Sequence, residues 1–134
     1  MIPANFSEDA KNLITSSRHA TLSVISGELG VHSVLVNFVP TEDFAEFYVL
    51  SRPTSRKVRN IQAHGVASLL FASGSSYTSI SAWAAIDSST QARSIAEELF
   101  TLRYNRAPRE ATERVIIVIT PRRWHGQIAR GLGS

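Results

Sequence analysis

The chain has 134 residues, of which 43% are hydrophobic and 19% are charged, and its formal net charge is +3 at pH 7. This length predicts one domain, residues 1–134, with a sizeable core, and the small positive charge permits an anionic ligand but is too low to indicate nucleic-acid binding. The absence of cysteine excludes disulfides, thiolate catalysis and cysteine-ligated zinc.

Secreted and membrane-spanning proteins are also disfavoured by the residue pattern. The N-terminal stretch MIPANFSEDAKNL has acidic residues where a secretory signal would be basic. The longest apolar run, VIIVI at 115–119, is far shorter than the roughly 20 residues of a membrane span. We therefore expect a cytoplasmic protein with no membrane partner. The four histidines lie far apart in the sequence, so we predict no metal site.

The spacing of apolar residues predicts three helices and six strands. In chain order they are a helix over 7–17, strands over 20–26, 31–39 and 46–51, a helix over 54–63, strands over 65–73 and 77–86, a helix over 88–105 and a strand over 113–128. Ser7 is the expected N-cap of the first helix, and Pro121 is expected to stop the last strand in part. Consecutive hairpins with few helices predict a mainly β fold, an antiparallel barrel with peripheral helices.

Two further expectations concern the hydrophobic core. The helix over 88–105 carries an apolar stripe that we expect to be buried, formed by Ala92, Ile95, Ala96, Leu99 and Leu102. Phe71 and Trp83 are also expected in the core, because large apolar side chains are usually buried.

The stretch LSRPTSRKVRNI, residues 50–61, places four cations where a helix begins: Arg52, Arg56, Lys57 and Arg59. Each such cation faces the positive end of the helix dipole, at a cost of roughly 0.3–1 kcal/mol. With Thr54 or Ser55 as the N-cap, the free amides of the first turn, the hydroxyls of Ser51 and Ser55 and the cations can converge on an anion such as phosphate. The alternative is a solvated basic helix face.

The stretch YVLSRPTSRKVRNIQAHGVASLLF, residues 48–71, resembles the pyridoxamine 5′-phosphate oxidase-like, FMN-binding split-barrel family. The resemblance extends over most of the chain. It implies a six-stranded antiparallel split β-barrel that forms a homodimer with FMN at the subunit interface. The flavin-phosphate roles implied by the resemblance fall on Ser51, Ser55, Arg56 and Lys57, and Leu50, just before them, is expected beside the cofactor.

A second segment, HSVLVN at 32–37, aligns with the family's Arg-x-Val-Leu-Leu-Lys strand. The resemblance implies that the backbone of Val34, Leu35 and Val36 meets the flavin edge. His32 replaces the Arg, and Asn37 replaces the Lys that contacts the substrate. Both positions remain expected cofactor contacts, but the lost Lys predicts that the chain is not a true pyridoxamine-phosphate oxidase.

The C-terminal part of the chain carries a third point of resemblance. In this family a Trp and an Arg reach the flavin from the partner subunit, and Trp124 and Arg130 stand at matching places. The alternative for Trp124 is that it packs against the end of the last strand. RYNRAP, residues 103–108, resembles the family's substrate helix only faintly, and no second anion clamp is predicted there.

The resemblance implies an FMN-dependent oxidoreductase that acts on a small-molecule substrate. Three alternatives stay open. One is a reductase that uses the deazaflavin F420, whose anionic tail would suit Arg52 and Arg59. The others are a split barrel that binds haem and a flavin-binding module without enzymatic activity. No residue is assigned as catalytic.

Overall fold

The computed structural model describes residues 5–129. Within that range the elements in chain order are α1 (Glu8–Ser16), β1 (Ala20–Ser26), β2 (Gly30–Val36), β3 (Val39–Pro40), β4 (Phe47–Ser51), α2 (Arg56–His64), β5 (Val66–Ser73), β6 (Ser76–Asp87), α3 (Thr90–Tyr104) and β7 (Val115–Gln127). No helix in the described part of the chain combines the length and the apolar character needed to cross a membrane.

The strands form one curled antiparallel sheet in the order β2-β1-β5-β6-β7-β4-β3, which confirms the split β-barrel. The sheet has seven strands rather than the predicted six, because the run predicted over 31–39 divides into β2 and β3. Phe38 lies at the division. Its backbone N–H donates to the Tyr104 hydroxyl at 3.0 Å instead of continuing the ladder with β1.

The inner face of the curled sheet holds the core. Phe38, Phe47 and Phe71 are fully buried, and the rings of Phe38 and Phe71 meet edge to face at 4.8 Å between centroids. Two helices fill the inside of the curl: α1 contributes three apolar residues, and α2 contributes Val58 and Ile61. Ser7 is the N-cap of α1 as predicted, since its side chain accepts from the Ala10 amide.

The third helix buries less of its surface than its sequence predicts. Within α3, Ala96 and Phe100 are buried, whereas Ile95 and Leu102 are 44% and 74% exposed. The prediction of a buried apolar stripe was therefore wrong for Ile95 and Leu102. The reason is that α3 packs mainly on the end of the sheet formed by β3, β4 and β7, so one narrow side of the helix meets the sheet.

Strands β6 and β7 depart from the sequence prediction at two points. Strand β7 continues through Pro121 to Gln127, because Pro121 sits next to a β-bulge opposite Ser81 and Ala82. Trp83 is not in the core but is 44% exposed. Its neighbours on β6 take the inward positions, so alternation along the strand turns the indole outward.

Candidate functional site

A groove of about 910 Å³ lies where the two ends of the curled sheet approach each other. One side is formed by the end of β2, the end of β4 and the N-terminus of α2, and the other by α3 and the α3–β7 segment (residues 105–114). The lining residues that matter to its chemistry are Leu35, Val36, Asn37, Leu50, Ser51, Arg52, Lys57, Phe100, Arg106, Arg109, Glu110 and Glu113.

Two serine hydroxyls meet at the N-terminus of α2. Ser55 is the N-cap, and its side chain accepts from the Val58 amide at 3.3 Å. The buried Ser51 hydroxyl lies 2.9 Å from the Ser55 hydroxyl. The amides of Arg56 and Lys57, which precede Val58 in the first turn of α2, have no intrahelical acceptor, so they and the hydroxyls present donors at one place. We refer to Ser51, Ser55 and Lys57 as the α2 site.

Lys57 supplies the charge at the α2 site. Its side chain is partly buried, and its pKa lies below the usual 10.5 because of burial first and the nearby charge of Arg52 second. Neither Lys57 nor Arg52 takes part in an ion pair among residues 5–129. Two cations without an acidic partner repel each other and the positive end of the helix dipole. A bound anion would offset this repulsion.

The opposite side of the groove is held in place by two arginines. Arg93 donates to the carbonyl oxygens of Ala111 and Thr112, at 2.8 and 3.4 Å. Arg114 donates to the Arg109 carbonyl oxygen and to Glu97, which also pairs with Arg93. The α3–β7 segment is therefore tied to α3 through its backbone.

Two further arginines on that side line the groove itself. The Arg106 guanidinium lies over the Phe100 ring, 5.1 Å from its centroid, and Arg109 also lines the cavity. Glu110 and Glu113 line the same side, so its charge is mixed. The α2 site, in contrast, has no acidic residue among the groove-lining residues that flank it.

The structure brings together half of the residues predicted from the sequence. Six of the twelve line the groove: Leu35, Val36, Asn37, Leu50, Ser51 and Lys57. Ser55 adjoins them through its contact with Ser51. Arg56 is exposed in the first turn of α2 and does not line the groove. His32 and Val34 lie opposite Val24 and Leu22 of β1, half-buried and away from the lining.

The two C-terminal candidates have different outcomes. Trp124 packs beside Phe6 at 5.6 Å between ring centroids, and its indole N–H donates to the Asn5 carbonyl oxygen at 3.0 Å. Trp124 therefore covers one end of the core in its own subunit, which agrees with the alternative that it packs against the end of the last strand. Its predicted contact with a partner's cofactor stays a prediction. Arg130 lies outside the described residues.

Sequence reasoning missed the contribution of Arg106 and Arg109 to the groove. The motif RYNRAP, residues 103–108, predicts no second anion clamp. The available signal was the density of arginines directly after the C-terminus of α3. That signal was insufficient, because only the tertiary tie through Arg93 and Arg114 turns this segment towards β4 and α2.

Comparisons with known proteins agree with this architecture. Among solved structures, Rv2991 from Mycobacterium tuberculosis, a conserved hypothetical protein, matches with a TM-score of 0.82 and 21% identity over 97% of this chain and 89% of that chain. An F420 reductase matches with a TM-score of 0.72 and 17% identity over 90% of this chain and 98% of that chain. HupZ from Group A Streptococcus matches with a TM-score of 0.74 and 13% identity over 91% of this chain and 94% of that chain.

At these identities the structural matches show the fold alone. No curated protein sequence matches the chain significantly. The family model described as pyridoxamine 5′-phosphate oxidase matches residues 6–128, which is nearly the whole chain. The matched range includes strand β2 and the α2 site. The chain therefore belongs to the pyridoxamine 5′-phosphate oxidase family.

Proposed function

We propose that the protein is an FMN-binding oxidoreductase that acts on a small-molecule substrate as a homodimer, with the cofactor at the subunit interface. The observation that carries this proposal is the α2 site. There, a partly buried lysine without an acidic partner stands beside two serine hydroxyls and the free amides of a helix N-terminus. Family membership supports a flavin as the ligand, since this family commonly binds one.

The groove fits FMN in size and chemistry. Its volume of about 910 Å³ lies within the range of roughly 300–1,000 Å³ typical of small-molecule sites. The α2 site would hold the phosphate through Lys57 and the Ser51 hydroxyl. Leu35, Val36 and Leu50 would border the ring with apolar surface and exclude water from that side.

When bound, FMN would supply the transfer of electrons as hydride or one at a time. The chain's own part is to fix the phosphate at the α2 site, to orient the ring against β2 and to limit the access of water. Asn37 lines the groove next to Val36 and offers an uncharged amide to a substrate. We assign no proton transfer to a side chain.

We further propose that the protein does not oxidise pyridoxamine 5′-phosphate at an enzymatic rate. Asn37 stands where the family's lysine contacts that substrate, and an amide does not replace an ammonium as a partner for its phosphate. Asn37→Lys alone is not expected to restore activity, because one charge does not rebuild a substrate pocket. The assay follows hydrogen peroxide and pyridoxal 5′-phosphate. Turnover of about 1 per second or faster would overturn this part of the proposal.

A reductase that uses F420 is the second candidate. The observation in its favour is that Arg52, Arg106 and Arg109 line the groove beyond the α2 site, where they would suit the anionic tail of that cofactor. The absorbance spectrum and mass of the ligand that co-purifies distinguish the two cofactors. The same spectrum would show a Soret band if the protein bound haem instead.

The test of the α2 site compares FMN with riboflavin, which lacks the phosphate. Lys57→Ala should weaken FMN about ten- to hundredfold, because a charge-assisted hydrogen bond of about 1.5–3 kcal/mol is lost. Riboflavin affinity should change little, and Lys11→Ala on α1 serves as the matched control. Equal loss for both ligands would show that Lys57 does not meet the phosphate. Tight FMN binding without turnover of any donor would identify a non-enzymatic flavin-binding module.

A further inference from the structure

The face of the sheet that points away from the core is unusually apolar for a free surface. Five of the eight exposed large hydrophobic residues in the described part of the chain lie on it: Ile25, Val31, Leu35, Leu70 and Trp83. We call this surface of β2, β1, β5, β6 and β7 the outer face. Helix α3 packs mainly on the end formed by β3, β4 and β7. An apolar surface of this kind indicates a site of protein association.

The β-bulge in β7 places an arginine on the outer face. Pro121 pairs with Ala82 and Arg123 with Ser81, so Arg122 is the extra residue. Its guanidinium stacks over the Trp83 ring at 3.9 Å from the centroid. Bulges commonly re-aim a side chain, and here the bulge fixes a cation above the exposed indole.

A small cavity on the same side of the sheet has the opposite charge. It measures about 220 Å³ and lies between β4, β7 and the first half of α3. Glu46 and Asp87 line it with Tyr48, and its larger apolar residues are Ile95, Ile116 and Val118. We call it the acidic cavity. In the described chain neither Glu46 nor Asp87 belongs to an ion pair.

The Tyr48 phenol occupies one oxygen of Glu46 and leaves the other available to a cation. It donates to a Glu46 carboxylate oxygen at 2.9 Å. Burial, and then this contact with Glu46, raise the pKa of Tyr48 to about 12, so the phenol remains a protonated donor at neutral pH. The carboxylate keeps its other oxygen for a cationic partner.

The acidic cavity and Arg122 lie on one strand, four residues apart. Val118 lines the cavity, Thr120 pairs with Trp83, and Arg122 follows at the bulge. A two-fold axis near Thr120 would set the β7 strands of two copies antiparallel across the interface, so that position 118 of each strand faces position 122 of the other. The same patch then meets itself, as an isologous interface requires.

We propose that the outer face docks on the outer face of a second copy, with Arg122 of the partner subunit entering the acidic cavity between Glu46 and Asp87. This rests on the homodimer of the proposed function and adds its geometry. The planar guanidinium matches two carboxylates through several N–H groups. Trp83 and the arginine above it lie near the axis, where aromatic and arginine residues dominate binding. The arrangement occurs twice in each dimer.

Charge reversal and its compensation test the proposal. Arg122→Glu should raise the dimer dissociation constant by about 100-fold or more, as measured by sedimentation equilibrium, and so should Glu46→Arg. The double variant, Arg122→Glu with Glu46→Arg, restores opposite charges across the interface and should return the constant to within about tenfold of the original. Arg18→Glu reverses an exposed charge in the α1–β1 connection, outside the strands of the outer face, and is the control.

Thermal unfolding verifies that each variant folds. If Glu46→Arg does not fold, Asp87→Arg replaces it in both the single and the double variant. A dimer that tolerates Arg122→Glu, or a double variant that stays dissociated, would overturn the proposal. FMN titration of the same proteins separates this from the cofactor assignment: a chain that binds FMN but never dimerises rejects the docking mode and leaves the α2 site intact.

Discussion

Lys57 places a charge in the α2 site at some cost to the stability of the empty protein. Burial and the Arg52 charge both disfavour its protonated form, so its pKa in the folded chain lies below 10.5. Between the folded and the unfolded pKa the unfolded chain therefore holds more protons. The free energy of unfolding of the ligand-free protein should consequently rise as the pH rises through that range. A bound anion would have the opposite influence on the ammonium, because it favours the charged form.

Lys57→Met should therefore raise the unfolding midpoint of the ligand-free protein while it weakens FMN binding. The methionine keeps the apolar stem and removes the disfavoured charge. Stability should therefore rise while FMN affinity falls, as is common when a charged residue of a binding site is replaced. The alkaline rise in stability should disappear in the same variant. Denaturant titrations across pH measure both effects, with Lys11→Met as the control. A variant less stable than the parent at neutral pH would contradict this account of Lys57.

Residues of the site could be predicted from the sequence only where their neighbours are local. Ser51, Ser55 and Lys57 fall within seven positions, so a strand end and a helix start suffice to bring them together. Arg106 and Arg109 come from a segment more than 40 positions away. Their place in the groove depends on the ties made by Arg93 and Arg114, which no local pattern indicates.

At the scale of elements, features that depend on local sequence were again predicted better than features that depend on tertiary packing. Helix α1 begins after its predicted cap, Ser7, and α2 begins after Ser55, one of the two caps that the sequence offered. The exposed side of α3 and the course of β7 through Pro121 depend on which elements pack nearby, and both differed from expectation. The division of β2 from β3 likewise rests on a hydroxyl 66 positions away in sequence.

Tyr104→Phe tests that division. The Tyr104 hydroxyl accepts from the Phe38 N–H and lies 2.9 Å from both the Phe38 and the Arg18 carbonyl oxygens, which are alternative acceptors for its single proton. Removing it leaves a partly buried N–H without its partner, which should cost about 1–3 kcal/mol of unfolding free energy. Chemical denaturation measures the loss. A change below about 0.5 kcal/mol would show that the hydroxyl does not hold the strand break.

Gly126→Ala tests the close approach of β7 to β6. A β-carbon at Gly126 would lie 3.0 Å from the Thr78 Cα and closer still to the Tyr77 carbonyl oxygen, both of them backbone. The strands would have to separate locally, at an expected cost of about 1–3 kcal/mol. Gly27→Ala is the matched control, since nothing lies within 4 Å of its β-carbon. Equal stability of the two variants would refute the steric argument.

The whole molecule combines a closed core with one open surface. The inner face of the curled sheet is filled by its own side chains and by α1 and α2, whereas the outer face keeps Val31 64% exposed and Leu70 38% exposed. The groove opens where the sheet ends meet, and Leu35, 69% exposed, belongs both to the outer face and to the groove lining. This shared residue suggests that association and cofactor binding are coupled.

The last prediction measures that coupling. Val31→Lys combined with Leu70→Lys should raise the dimer dissociation constant about 100-fold or more, because the burial of two aliphatic side chains, worth about 3 kcal/mol or more, is lost. Neither residue lines the groove. FMN affinity should nevertheless fall at protein concentrations where the variant is monomeric, and recover where it dimerises. Leu102→Lys is the control, since Leu102 on α3 is 74% exposed and lies off the outer face. FMN affinity that is independent of protein concentration would separate the cofactor site from the dimer interface.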